Sequence, residues 1–200
     1  MCMEHIDTEN KSEDYSDQLS TLTQRRDYLY LYSDNQLSKH SIVSALKQAF
    51  IRNAETPYLL HIDFSKFSKE KLLDAELFSK ELNNQIIDFS HAYNLETPTE
   101  FNSILKTFKF ILNQTRNNSV VLLVEEYDYS LTNALKEQKF CEELNKILLN
   151  FFKCLKLHSI KFRFVFITGC TSFKDSPIFD AVNNVRDVSE DPKFKDIVDF

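Results

Sequence analysis

Two periodicities alternate along most of this chain. Asp27–Ser33, DYLYLYS, is dense in residues that favour extended backbone and reads as a strand. Ile42, Val43, Leu46 and Phe50 then recur at helical spacing and predict a helix over 39–50. A second strand, YLLHIDFS at Tyr58–Ser65, is entered through Pro57. Amphipathic helices are predicted over 72–93 and 98–117, the second opening at Thr97-Pro98, where proline is tolerated in a first helical turn. Val120–Val124 is an unbroken apolar run at the head of SVVLLVEEYD, the mark of a strand buried on both faces. Phe140, Leu144, Ile147, Leu148, Phe151, Phe152 and Leu155 form one broad apolar face over 136–158. IKFRFVFITG, residues 160–169, is a fourth strand, and a short fifth is predicted near Val185–Val188.

Strands separated by long helices cannot pair through tight hairpins, so the alternation predicts βαβ units and a mostly parallel sheet. The fold class is α/β, with the three layers αβα. No internal repeat or low-complexity linker interrupts residues 25–200, which are assigned to one domain. The segment before it, 1–24, is polar and acidic and is expected to be a mobile arm.

Composition narrows the function. A chain of 200 residues can bury a sizeable core, and with 18 phenylalanines and no tryptophan that core is Phe-, Leu- and Ile-rich. The formal charge of −6 argues against a protein whose main task is neutralising nucleic-acid phosphates, and no direct nucleic-acid signature is present. Cys2, Cys141, Cys154 and Cys170 contain no CxxC pair, and the histidines show no HxxxH spacing, so no zinc motif is read. Neither a signal-peptide pattern nor an apolar stretch of about 20 residues is found, so a cytoplasmic protein outside the membrane is expected.

In open parallel sheets, ligands bind beyond the carboxyl ends of the strands. After the first strand come Ser33-Asp34-Asn35-Gln36-Leu37-Ser38-Lys39-His40; after the third, Glu125-Glu126-Tyr127-Asp128; after the fourth, Thr168-Gly169-Cys170-Thr171. A lysine at the start of a helix can reach phosphate, and the helix N-terminus favours anions. Carboxylates ending a buried strand can hold Mg²⁺ and polarise water. A polar residue at the neighbouring strand tip can sense a terminal phosphate. Each signal alone better fits a surface lysine or a solvated strand end; together, in this order, they outline a nucleotide site.

Three stretches then resemble a known family, the bacterial predicted AAA-ATPase-like proteins. YLLHIDFS is similar to the family's strand ending H-[LI]-D-F-S. VVLLVEEYDYSL is similar to its Walker B region, V-V-L-[LI]-[IV]-D-E-Y-D-x-P-L. FRFVFITGCTSFKDSPIFDAVNNVRDVSEDPKF resembles a long segment beginning R-F-V-F-[IL]-T-G. The likeness covers about Asp27 to Phe200. It implies a P-loop-NTPase-like fold with ATP and Mg²⁺ as cofactors. In that reading Ser38, Lys39 and His40 face the phosphates, Glu125 and Asp128 the metal, Glu126 is the catalytic base and Thr168 the sensor. Asp63 matches an aspartate of the second-strand motif without an assigned task, and His61 is read as a strand residue rather than a ligand.

The departures from the family pattern are concentrated in that site. The phosphate loop reads approximately R-P-R-R-F-G-K-S in the family; here Ser38 stands for the glycine and His40 for the serine, and the arginines are absent. The chain's one glycine lies elsewhere, at Gly169. Glycine lets a phosphate loop turn its amides inward. Ser38 in a left-handed conformation would cost about 1 kcal/mol or more. Imidazole is a poor substitute for a hydroxyl on Mg²⁺. Glu125 replaces an aspartate and lengthens the carboxylate by one methylene. The resemblance also leads one to expect further chain after 191–200, often a nuclease-like domain, so this copy is expected to be truncated. Three readings follow: a pseudoenzyme with a degenerate Walker A, an active NTPase with an unconventional loop, and a non-enzymatic interaction module with an unknown protein partner.

Overall fold

A computed structural model describes residues 26–52, 58–72, 74–99, 103–133, 138–172, 185–192 and 194. The arm at 1–24 and the matching stretch at 173–184 lie outside them, as do the last six residues.

The strands are β1 (Tyr28–Tyr32), β2 (Tyr58–Asp63), β3 (Val120–Glu125), β4 (Phe162–Gly169) and the two-residue β5 (Arg186–Asp187). The helices are α1 (Gln36–Arg52), α2 (Lys69–Leu72), α3 (Ala75–Ala92), α4 (Ile104–Gln114), α5 (Tyr129–Asn133) and α6 (Gln138–Leu157). All pairings are parallel and the strand order is β2-β3-β4-β1-β5. The α/β class and parallel sheet therefore stand as read from the pattern.

The strands bury both faces because their side chains alternate between two cores. Leu29, Leu31, Val121, Leu123, Phe164 and Phe166 pack with Ile42, Val43, Leu46 and Phe50 of α1 on one face. Tyr28, Tyr30, Ile62, Leu122, Val124 and Ile167 pack on the other face with α3, α4 and α6, represented by Leu82, Phe108 and Phe151. The β3–β4 register shifts between Val120 and Val121, which pair with Phe162 and Phe164. That irregularity lets Phe162 and Phe164, two residues apart, enter opposite cores.

Helix boundaries differ from the periodicity in three places. The span 72–93 divides because Asp74 caps a new helix, accepting from the amides of Glu76 and Leu77. Within the span 98–117, Pro98 and Thr99 are not helical, and the described helix runs over Ile104–Gln114 after Ser103. Most consequential, α1 begins at Gln36, three residues before Lys39, because the Asn35 side chain accepts from Ser38 N at 3.2 Å.

With one glycine available, left-handed backbone falls to other residues. Asn94 (φ 54°) and Asn118 (φ 55°) are ordinary occupants of that region, but Glu126 (φ 52°) is not. Gly169 serves a different need. A Cβ there would lie 2.6 Å from the Tyr127 ring and 2.9 Å from the Asp128 carboxylate. Gly169→Ala is thus expected to lose about 1–3 kcal/mol by overpacking. In thermal unfolding that is a fall of roughly 2–4 °C per kcal/mol; an unchanged midpoint would show that β3 and β4 are not so tightly apposed.

Candidate functional site

Because every strand runs the same way, the carboxyl ends of β1, β2, β3 and β4 share one edge of the sheet. Asp63 and Glu125 are direct register partners across β2 and β3, and Val124 is partnered by Ile167, one residue short of Thr168. The chain turns out of β3 through the left-handed Glu126, whose amide donates to Thr168 Oγ1 at 3.2 Å. Tyr127 N donates to Thr168 O at 3.0 Å. Thr168 is fully buried and stitches β4 to this turn.

Lys39 lies in the second turn of α1 and points inward, 1% exposed. Its ammonium is 2.7 Å from Glu126 Oε1 and donates to Gly169 O at 3.0 Å. The residues read as phosphate clamp and catalytic base are thus each other's partners. Burial raises the Glu126 carboxyl above its ordinary value; the Lys39 hydrogen bond and charge oppose this, and Asp128 and Asp63 add to it.

The backbone preceding Lys39 forms no open loop. Only Ser33, Asp34 and Asn35 separate β1 from α1. Asn35 N donates to Ser33 Oγ, Ser38 N to the Asn35 side chain, and Lys39 N to Asn35 O. Ser38 sits inside the helix and takes no positive φ, so the strain expected of it does not arise. The amides a phosphate would use are instead committed to the helix cap.

Asp128 is buried and bonded to backbone: Cys170 N donates to it at 3.0 Å and Thr171 N at 2.6 Å. It closes the turn after β4. Burial, reinforced by Asp128, pushes the Cys170 thiol up to about 11.

Glu125 is the hub of a second network. His40 Nδ1 donates to its Oε2 at 2.8 Å and His61 Nε2 to its Oε1 at 2.6 Å. Sequence alone reads His61 as a plain strand residue. Its position two before Asp63, on the same side of β2, was the available signal. Asp63 caps the short turn 64–66, accepting from Ser65 N and Oγ, and pairs with Lys66 at 2.9 Å. Burial disfavours its charge, but the Ser65 and Lys66 hydrogen bonds prevail and hold its carboxyl below the ordinary value.

These residues do not fit Mg²⁺·nucleotide as the family pattern would place it. An imidazole already occupies Glu125 where a hydroxyl ligand is needed, Asp128 is spent on amides, and the lysine is ion-paired.

Comparison with known proteins places the chain among relatives. The model of a family described as predicted AAA-ATPase matches residues 16–179. Over 75 residues the chain is 29% identical to an uncharacterized protein in the vnfD 5' region of Azotobacter chroococcum mcd 1, a match covering 38% of this chain and 14% of that protein's length. Among the described residues no helix is long and apolar enough to cross a membrane.

Two outcomes test the geometry. Removing one member of a buried ion pair leaves the other uncompensated, a loss of about 3–5 kcal/mol. Lys39→Met and Glu126→Gln should each destabilise strongly in urea unfolding, and the double variant should lose about 1–3 kcal/mol less than their sum; additivity would contradict the pairing. Raising a thiol from 9.0 to about 11 leaves about a hundredfold less thiolate at pH 8. Because the more basic thiolate is also the better nucleophile, alkylation of Cys170, followed by peptide mass spectrometry, should be about tenfold or more slower in the folded than in the unfolded protein; equal rates would contradict its part-buried contact with Asp128.

Proposed function

The chain belongs to the predicted AAA-ATPase-like family, and from that premise we propose that it is a member whose phosphate site has closed on itself. It keeps the fold, binds nucleotide weakly or not at all, and does not hydrolyse it efficiently. The observation that carries this reading is the buried Lys39–Glu126 pair at 2.7 Å. To grip a phosphate, Lys39 would have to leave Glu126 buried and unpaired, a penalty of about 3–5 kcal/mol before any ligand contact is made. Glu126, so held, is not poised to take a proton from water. The cap at Asn35 adds to this, since a phosphate would have to displace its bonds to Ser38 and Lys39. Thr168, the sensor position, spends its hydroxyl on the Glu126 amide.

Thermal unfolding with and without millimolar Mg·ATP tests the proposal. A ligand at a hundred times its Kd would contribute about 2.7 kcal/mol. At roughly 2–4 °C per kcal/mol that is a shift of several degrees. The expected shift is smaller than about 1 °C, in line with a ligand near or below its Kd. A saturable shift of several degrees that vanishes in Lys39→Ala would contradict the proposal and favour the active, unconventional loop.

A further inference from the structure

The poor fit to Mg²⁺ has a positive counterpart. We propose that His40, Asp63 and Glu125 form a binding site for a divalent ion of the zinc class, with His61 as the hydrogen-bond donor that orients the ligating Glu125. This goes beyond the closed phosphate site and does not depend on nucleotide.

Geometry supplies the first argument. One ligand atom each from His40, Asp63 and Glu125 lie within 4.8 Å of one another. Two ligands at about 2.0–2.2 Å from a tetrahedral zinc ion stand roughly 3.3–3.6 Å apart, so the set closes once its widest pair draws together by about 1 Å. The three come from α1, β2 and β3, and the two carboxylates are fixed opposite each other by strand register.

Charge supplies the second. Glu126 faces Lys39, Asp63 faces Lys66, and Asp128 faces backbone amides. The two hydrogen-bond partners of Glu125's carboxylate oxygens are both imidazoles, and its side chain is 4% exposed. Two buried carboxylates side by side, of which Asp63 is paired with the mostly exposed Lys66 ammonium, make a place for a compact cation.

Donor chemistry selects the ion. Imidazole with carboxylates suits zinc and its first-row neighbours, whereas Mg²⁺ prefers oxygen alone. The surroundings also match what a ligating histidine and carboxylate require. Ser44 Oγ lies 3.5 Å from His40 Nε2, where it can accept the ring proton once Nδ1 turns from donor to ligand. His61 Nε2 already donates to Glu125 Oε1, the second oxygen of the carboxylate. The sequence reading missed the site because its ligands are dispersed over 86 positions and follow no short motif.

The test is titration of chelator-treated protein with Co²⁺, followed by competition with Zn²⁺ and with Mg²⁺, with no nucleotide present. One equivalent of Co²⁺ should bind with visible ligand-field bands and without thiolate charge transfer, and Zn²⁺ but not millimolar Mg²⁺ should displace it. Loss even of an outer partner weakens metal sites about 10–100-fold, so His40→Ala and Glu125→Gln should each weaken binding by at least about tenfold. His40 is half-exposed, and Glu125→Gln preserves shape, so the two variants test the site from different elements. Absence of binding, affinity unchanged in both variants, equal displacement by Mg²⁺, or a sulfur charge-transfer band placing the ion at Glu126, Asp128 and Cys170 would each overturn the proposal. None of these results bears on the closed phosphate site, which is read from Mg·ATP.

Discussion

The ion pair between Lys39 and Glu126 is the contact on which the carboxyl edge of the sheet depends. It ties the start of α1 to the turn leaving β3, and through Gly169 O it also engages the end of β4. Glu126 reaches Lys39 from a left-handed backbone that an L-residue adopts at a penalty of about 1 kcal/mol. The bonds from its amide to Thr168 and from Lys39 to its carboxylate offset that strain. Residues typical of a working site are here bound to one another, and the site's electrostatics are largely satisfied without a ligand.

Around this pair, several polar groups are held by internal partners. Asn35 holds the amides of Ser38 and Lys39, Thr171 and Cys170 hold Asp128, and two imidazoles hold Glu125. His40 beside two carboxylates makes a donor set suited to softer ions rather than to Mg²⁺. The Asn35 cap at the start of α1 supports the proposed closed site. A short connector that continues directly into helix is stable by itself, whereas an open phosphate loop leaves amides waiting for an anion.

Much of the fold was legible in the residues. The apolar run Val120–Val124 marked a central strand, and the face containing Leu144, Leu148, Phe151 and Leu155 marked α6. Alternation of the two marked a parallel sheet. The common edge on which Lys39, Asp63, Glu125, Glu126 and Thr168 meet followed from that parallelism. Pairing across the edge was not legible, because those contacts join residues 42 to 130 apart and depend on register and helix phase. The early start of α1 was hidden because Ser33–Lys39 lacks apolar periodicity, and its signal was the single Asn35 cap. His61 was passed over because a lone histidine in a strand carries no spacing, although its parity with Asp63 placed it beside Glu125.

The most direct test of the closed site is an amide-resolved magnetic resonance titration of the protein with Mg·ATP, following the Ser38 and Lys39 amides. If their bonds to Asn35 and the Lys39–Glu126 pair close the site, these signals stay in place up to millimolar nucleotide. Saturable movement of both signals at micromolar Mg·ATP, lost in Lys39→Ala, would contradict the account and return the site to phosphate binding.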